Sequence, residues 1–414
     1  MSSTIKRNKY EIDMCNGTIM DKLISFSLPL MLSGILQLMF NAVDIIVIGR
    51  FSGSQSLAAV GSTTALINMF TNLFIGISLG ANVLSARFYA AGEDKEMSET
   101  VHTAITLALI SGIIMVFVGL IFAKPVLELM DTPDDVINLS TLYMRIYFMG
   151  MPFFMLYNYG ASILRAVGDT SILVLRCLYR SETSYQLRFS KLKIQKEYLK
   201  QIFQVGIPAG IQSTVINFSN VLLQSSVNSF GSIAMAGYTA ANNIFGFLYV
   251  TVNAVTQACM SFTSQNYGVG KWKRMDRVLI DCLILSFVAM MILGNSAYFF
   301  GPKLLTIYTS NSKVIQCGME ILLYTTVTYF LCGFMDLFPG ALRGMGRSGV
   351  PMILSIIGTV GTRIVWIFWI FPNHRSLDIL FISYPASWII TIVLQVICYY
   401  FVRKQLYAKM RAEA

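Results

Sequence analysis

The sequence predicts an all-α polytopic membrane protein, and three observations carry that prediction. The 414 residues are 55% hydrophobic and 13% charged, whereas soluble domains carry about 25% charge. The mean hydropathy is +0.63, and the apolar runs exceed the roughly 18 residues that indicate a transmembrane helix. Within lipid the backbone must pair internally, which leaves helix bundles or closed barrels, and barrel strands would alternate over about ten residues. We therefore expect a helix bundle.

Ten apolar runs follow one another along the chain, each long enough to cross a hydrocarbon core of about 30 Å. Proline lies inside or beside several of them, and transmembrane helices tolerate it, often with a bend. The predicted spans are 23–48, 57–82, 101–123, 136–162, 199–227, 234–261, 278–300, 314–338, 350–371 and 379–402.

Basic residues predict the orientation of these spans. With the N-terminal Lys6, Arg7 and Lys9 in the cytoplasm, 24 of the 31 Lys and Arg residues fall in cytoplasmic segments and five in outside loops. The remaining two, Arg145 and Arg363, lie inside spans, where they would pair with acids or reach lipid phosphate. The bias follows the positive-inside rule, so we expect both termini in the cytoplasm and the bacterial inner membrane as location. Basic patches between apolar runs do not favour nucleic-acid binding.

An internal repeat divides the chain into two copies at an offset of about 178 residues. The motif Leu164-Arg165-x-x-Gly168 recurs as Leu342-Arg343-x-x-Gly346. A second group of matches surrounds the glycines at 92 and 270, where Tyr89, Gly92 and Met97 correspond to Tyr267, Gly270 and Met275. Both copies begin on the cytoplasmic side, so they are parallel repeats related by an axis along the membrane normal.

The two copies differ in length. The first copy is about 49 residues shorter after its Leu-Arg motif, which is the length of two spans, and the shortfall lies near 170–172. Six plus six helices are expected for equal copies, and four plus six are visible. The predicted segments are a cytoplasmic 1–20, an N-lobe 21–175, a basic linker 176–200, a C-lobe 201–405 and a tail 406–414.

Ionisable groups inside spans are the first functional candidates, because each costs about 2.5–3.5 kcal/mol at a helix centre. Asp44 shares one stripe of the first span with Gln37 and Asn41, at spacings of i, i+4 and i+7. Such a stripe must face protein or water, so Asp44 either binds an ion or caps the helix end.

The second copy carries a neutral stripe and a second acid. The neutral stripe contains Ser213, Asn217, Asn220 and Gln224, which either line a cavity or hydrogen-bond between helices. Asp336 is the acid, and its repeat partner is Asn158, so the same helical position is polar in both copies. Tyr329 lies on the face of Asp336, which either lines an interior or pairs with an arginine.

Weaker candidates and absences complete the survey. Asn68 and Gln257 are polar positions on the second and sixth visible spans and are further cavity candidates. Gly76-x-x-x-Gly80 and Gly206-x-x-x-Gly210 are typical of close helix packing. The chain has two histidines, no nucleotide-binding Walker A sequence and seven dispersed cysteines, so we expect neither a cofactor nor an enzyme.

The duplicated unit, both Leu-Arg motifs and the segment Gln37-Leu-Met-Phe-Asn41-Ala-Val-Asp44 resemble the MATE family of multidrug and toxic compound extrusion transporters. The resemblance implies two six-helix lobes, a central cavity and exchange of drugs for H⁺ or Na⁺. It also implies that Asp44 and Asn158 match an ion-coupling network, with Na⁺ at Asp44 as one option. A glutamate that some members carry on the seventh helix matches Asn217, so Asp336 is the nearest acidic substitute.

These features predict a secondary-active efflux antiporter. It would export drug-like organic cations and exchange them for H⁺ or Na⁺, as a monomer in contact with membrane lipids. Asp44, Asn41, Asn158 and Asp336 are the predicted ion-coupling residues, and the other polar residues named above line the substrate cavity. A lipid-linked saccharide flippase of the same superfamily is the alternative, although it would favour a strongly cationic cavity.

Overall fold

The computed structural model describes residues 11–51, 53–129, 132, 134–171 and 174–413, and in these ranges the regular structure is entirely helical. Lys6, Arg7 and Lys9, on which the predicted orientation rests, lie outside the described residues, as do residue 172 at the predicted shortfall and Ala414 of the tail. The helices are α1 (Met20–Phe51), α2 (Gly53–Ala91), α3 (Asp94–Leu129), α4 (Asp134–Met149), α5 (Met151–Val167), α6 (Val174–Arg180), α7 (Lys196–Asn228), α8 (Ser232–Gly268), α9 (Trp272–Phe299), α10 (Gly301–Thr306), α11 (Ser312–Thr326), α12 (Tyr329–Gly344), α13 (Gly349–Ser355), α14 (Thr362–Val365) and α15 (Leu377–Glu413). Wider π-helical turns flank α14 at Ile356–Gly361 and Trp366–Ile370.

Long apolar helices confirm a polytopic membrane protein. Over the described ranges, seven stretches of helix are long and apolar enough to cross a membrane, and α11 with α12 makes an eighth if that bent pair is one span. Ten spans were predicted. Two predicted spans are not among these eight. The span 136–162 is divided between α4 and α5, which have only 16 and 17 residues. The span 199–227 is α7, and the serine, asparagine and glutamine residues of this helix lower its hydropathy.

The chain forms two compact units. The first comprises Met1–Cys15 and Leu32–Ile211, and the second comprises Asn16–Met31 and Gln212–Ala414. Helices α1 and α7 therefore each contribute residues to both units. Helices α2–α6 belong to the first unit and α8–α15 to the second. In the first unit, the described residues between α5 and α7 contain one α-helix, the seven-residue α6.

Matched glycines show the duplication in the backbone. Gly92 and Gly270 have φ values of 73° and 68°, and Gly168 and Gly346 have values of 91° and 79°. Only glycine reaches this left-handed region without steric cost. Helices α3 and α9 begin directly after the first pair, at positions that are also 178 residues apart. The sequence repeat is therefore a repeat of helix ends and turns.

Two predicted spans are interrupted. The run 136–162 consists of α4 and α5, which meet at Gly150 with Pro152 in the first turn of α5. The run 314–338 is bent by 45° between α11 and α12. There Thr325, Thr326 and Thr328 donate from their hydroxyls to carbonyls four residues earlier, and such bonds often bend a helix. Both breaks occupy the same place in the repeat.

Glycines bring α2 against the N-terminal half of α7 within the first unit. A Cβ built on Gly76 would lie 2.2 Å from Gly210 Cα, and one on Gly80 would lie 2.1 Å from the Ile202 carbonyl oxygen. A Cβ on Gly206 would lie 2.5 Å from Ile77 Cα. Both small-residue motifs therefore lie at backbone contacts, as their spacing predicts.

Candidate functional site

The polar stripe of α1 is accessible in the first unit. Gln37, Asn41 and Asp44 all have exposed side chains. The Asp44 carboxylate lies near enough to the Tyr143 hydroxyl of α4 to act on it electrostatically. An accessible carboxylate beside a hydroxyl can accept a proton or bind a small cation.

The other polar candidates of the first unit are not joined to this stripe by a described hydrogen bond. Asn158 on α5 is half-buried and donates from Nδ2 to the Phe154 carbonyl, 2.8 Å away on its own helix. Its amide therefore satisfies local backbone and leaves Oδ1 as an acceptor. Asn68 on α2 is exposed. The structure thus places Asn158 on a neighbouring helix of the unit without showing that it meets Asp44.

Asp336 is the acidic candidate of the second unit. It lies half-buried on α12, and the Tyr249 hydroxyl of α8 lies near enough to interact with it electrostatically. Arg343, two turns further along α12, acts on Asp336 electrostatically, although no nitrogen of Arg343 forms an ion pair with it in the described residues. Arg343 instead donates from Nη2 to Gln212 Oε1 at 2.7 Å. Asp336 therefore has a hydroxyl and a cation nearby, without a closed salt bridge.

The α7 stripe divides between the two alternatives left open by the sequence. Asn220 is an interhelical acceptor, because Arg363 donates from Nη1 to its Oδ1 at 2.7 Å. Gln224 bonds within α7, to Asn228 Oδ1 at 2.9 Å. Asn217 is exposed. Asn220 thus connects helices, whereas Asn217, one turn earlier on α7, is accessible.

Two substrate-cavity candidates are engaged in packing within the second unit. Tyr329 is buried, and its hydroxyl lies 3.4 Å from the Phe245 carbonyl oxygen. Its ring packs edge-on against Trp388 at 5.7 Å between centroids. Gln257 donates from Nε2 to Asn253 Oδ1 at 2.5 Å. Tyr329 therefore contributes to an aromatic wall, while Gln257 and Asn253 form a local amide pair.

Some polar pairings in the two units were not predicted from the sequence. Tyr143 and Tyr249 come from helices other than those of the carboxylates they approach, and a helical periodicity within one span cannot indicate such pairings. Asp281 is buried on α9 and forms a salt bridge of 3.0 Å with the exposed Arg277. The i, i+4 spacing of this pair is the one signal in the sequence that could have identified it.

The described residues contain no group of three or more His, Cys, Asp or Glu residues that could hold a metal ion. A monovalent cation coordinated by one carboxylate with hydroxyl and carbonyl oxygens would not form such a group. The carboxylates, amides and hydroxyls of these side chains can exchange protons, bind cations and form hydrogen bonds.

The MatE family model matches residues 29–179 and 208–369. YoeA, a Bacillus subtilis (strain 168) protein named for multidrug resistance, is 26% identical over 432 positions, covering 92% of this chain and 93% of that protein. The alignment has 432 positions and the chain has 414 residues, so some segments of YoeA are aligned with gaps in this chain. The multidrug export protein MepA of Staphylococcus aureus (strain NCTC 8325 / PS 47) is 20% identical, covering 81% of this chain and 84% of MepA.

Solved structures share the fold. An outward-facing multidrug resistance MATE family transporter of the MOP superfamily gives a TM-score of 0.86 at 18% identity, covering 98% of this chain and 100% of that chain. A MOP superfamily transporter from Pyrococcus furiosus also gives 0.86 at 18% identity, covering 97% and 99%.

Proposed function

The chain belongs to the MatE family, and from that premise we propose that it is a secondary-active multidrug efflux antiporter. It exports organic cations in exchange for H⁺ or Na⁺. We place it in the bacterial inner membrane with both termini in the cytoplasm, acting as a monomer without a cofactor. Its relatives YoeA and MepA, named for multidrug resistance and export, support this assignment.

The exposed Asp44 carboxylate on α1 is the observation that carries the proposed coupling. A carboxylate that is either ionised or neutralised presents two different charges to a cationic substrate. A cationic substrate then binds the ionised state more tightly, and a bound ion favours the neutralised state. This difference in affinity couples the flux of the ion to the flux of the substrate. Asp336, with Tyr249 and Arg343 around it, would serve the same purpose in the second unit.

Transport by the purified protein in liposomes tests the proposal. We expect an imposed H⁺ or Na⁺ gradient to drive uptake of ethidium, an organic cation, by wild-type protein. Asp44→Asn should abolish this uptake and leave membrane insertion intact. Glu128→Gln is the matched control, because Glu128 is an exposed carboxylate of the same unit that pairs with Lys124 at 3.9 Å. Equal uptake by wild type and Asp44→Asn would refute the proposed coupling.

The flippase alternative is weaker. A lipid-linked diphosphate would favour several buried cations, since isolated charges within the membrane are costly and pair with their ligands. Of the two arginines in the predicted spans, Arg145 is exposed and Arg363 is buried. One buried guanidinium suits a smaller anionic group.

A further inference from the structure

Arg363 is a buried cation with neutral hydrogen-bond partners. It lies on α14, between two π-helical stretches, and its side chain is 3% exposed. Nη1 donates to Ser219 Oγ at 2.9 Å and to Asn220 Oδ1 at 2.7 Å. Nε lies 3.4 Å from Ser387 Oγ. Every one of these partners is uncharged.

The charge of Arg363 is not compensated within the described part of the second unit. No carboxylate there lies within ion-pairing distance of its nitrogens, whereas Arg343 has Asp336 nearby on the same helix. Removing a cation from water is expensive unless an opposite charge repays the loss. Arg363 therefore differs from a structural arginine that balances a neighbouring acid.

Arg363 also has unused donors. A guanidinium has five N–H groups, and the described hydrogen bonds start only from Nε and Nη1. Nη2 donates to no described residue, although the side chain is more than nine-tenths buried. The neighbouring Asn220 is half-buried, and its Nδ2 likewise donates to no described residue. Two N–H groups of Arg363 and an amide are thus available to one acceptor.

Aromatic rings lie beside these donors. The Arg363 guanidinium lies over the ring of Tyr384, 4.7 Å from its centroid. Tyr384 hydrogen-bonds to the Tyr238 hydroxyl at 2.8 Å, and its ring packs against Trp388 at 5.8 Å. An aromatic acid could pair its anionic group with the guanidinium and stack its ring on these aromatic side chains. A carboxylate is the matching anion, because its two oxygens fit the planar N–H pairs of arginine.

We propose that Arg363 and Asn220 of the second unit bind the carboxylate of an aromatic organic acid or zwitterion. The inference rests on the proposed export function for its biological meaning. The binding itself depends only on these residues. A carboxylate would supply the missing counter-charge and accept from Nη2 and from the Asn220 amide.

Binding of two dyes that differ in one group tests this site. Rhodamine B carries an ionised benzoate, and in rhodamine B ethyl ester that carboxylate is esterified. Fluorescence anisotropy with the full-length protein in detergent measures both affinities. We expect wild type to bind rhodamine B and Arg363→Gln to bind it about tenfold more weakly, the loss of one charge-assisted interaction. Affinity for the ester should stay within about twofold.

A second variant keeps the test meaningful if Arg363→Gln does not fold. Asn220→Asp places a carboxylate 2.7 Å from Nη1, so it supplies the missing counter-charge from within the protein. It should preserve folding, as measured by thermal unfolding, and should weaken rhodamine B binding by about tenfold. Arg145→Gln removes an exposed arginine of the first unit and should change neither affinity.

The outcomes separate this inference from the proposed function. Equal weakening of both dyes in Arg363→Gln and Asn220→Asp would assign these residues a structural role and overturn the inference. Unchanged rhodamine B binding in both variants would overturn it as well. If binding follows the prediction while ion-driven transport of ethidium is absent from wild type, the carboxylate site stands and the antiport proposal fails.

Discussion

The two copies of the repeat differ in how they carry charge. In the first unit the acid is Asp44, exposed on α1. In the second unit Asp336 is half-buried on α12, and Arg363 is a buried cation nearby in the chain. The glycine turns lie at matching positions of the two copies, whereas the ionisable side chains do not. The duplicated scaffold has therefore kept its helix ends and diverged in its ionisable groups.

The copies also differ in how closely their helices pack. Gly76 and Gly80 of α2 correspond in the repeat to Ala254 and Ala258 of α8. The glycines meet backbone atoms directly, while both alanines fit within the second unit and are buried. The first unit therefore has no room for a methyl group where the second unit holds one.

The largest effect is expected from adding that methyl group to the first unit. In Gly80→Ala, the new Cβ would lie 2.1 Å from the Ile202 carbonyl oxygen, so the helices must separate, at a cost of about 1–3 kcal/mol or more. We expect a clear fall in the yield of monodisperse protein on size-exclusion chromatography. Gly349→Ala is the control, because nothing lies within 4 Å of its added Cβ. Normal yield and melting temperature for Gly80→Ala would show that the packing is looser than described.

Replacing Asp336 tests whether the two copies need different charges at the helical position that they share. Asp336→Asn gives the second copy the residue that the first copy has at Asn158. Loss of the interactions with Tyr249 and Arg343 should lower ion-driven ethidium transport about tenfold. Asp336→Glu should restore part of the rate. Full transport by Asp336→Asn would leave the coupling role to Asp44 alone.

Two tyrosines of the first unit donate to the Glu11 carboxylate, whereas the repeat partner of one of them, Tyr267, packs on an aromatic ring. Tyr89 donates to Glu11 at 2.5 Å, as does Tyr185, whereas Tyr267 packs on Trp272 at 5.1 Å between centroids. Burial and the hydrogen bond to Glu11 raise the pKa of Tyr185 to about 12, above its unfolded value of about 10. Its contribution to stability is therefore present below pH 10 and is lost as the pH rises through 12.

Melting temperature against pH measures this contribution in detergent. Wild type should lose stability between pH 10 and pH 12 more steeply than Tyr185→Phe, which has no hydroxyl to ionise. Tyr179→Phe, which removes an exposed tyrosine of the first unit, should follow wild type. Parallel curves for wild type and Tyr185→Phe would contradict the assigned pKa shift.

The smallest effect is expected from the reverse change in the second unit. Ala258→Gly removes a buried methyl group and adds backbone freedom within α8, so it should lower the free energy of unfolding by about 0.5–1 kcal/mol. Thermal unfolding of the intact protein measures this change. A loss as large as that of Gly80→Ala would show that the two units are packed alike.

Local patterns predicted the repeat but not the neighbours of its polar residues. Gly92 and Gly270 were matched by sequence, and their left-handed backbone confirms the match because glycine alone suits it. Asp44 was placed on a polar stripe by its spacing, whereas Tyr143 came from a distant helix. The bend between α11 and α12 was missed, because threonine bonds to the backbone compete with the helix without changing its hydropathy.

Ion movement driven by substrate tests the central claim most directly. Coupling between two binding equilibria is reciprocal, so an ethidium gradient imposed across liposomes should drive H⁺ or Na⁺ in the opposite direction through wild-type protein. Asp44→Asn should abolish this ion movement, and Glu128→Gln should preserve it. Ion movement of equal rate in wild type and Asp44→Asn would contradict the claim that the first-unit carboxylate couples ion and substrate.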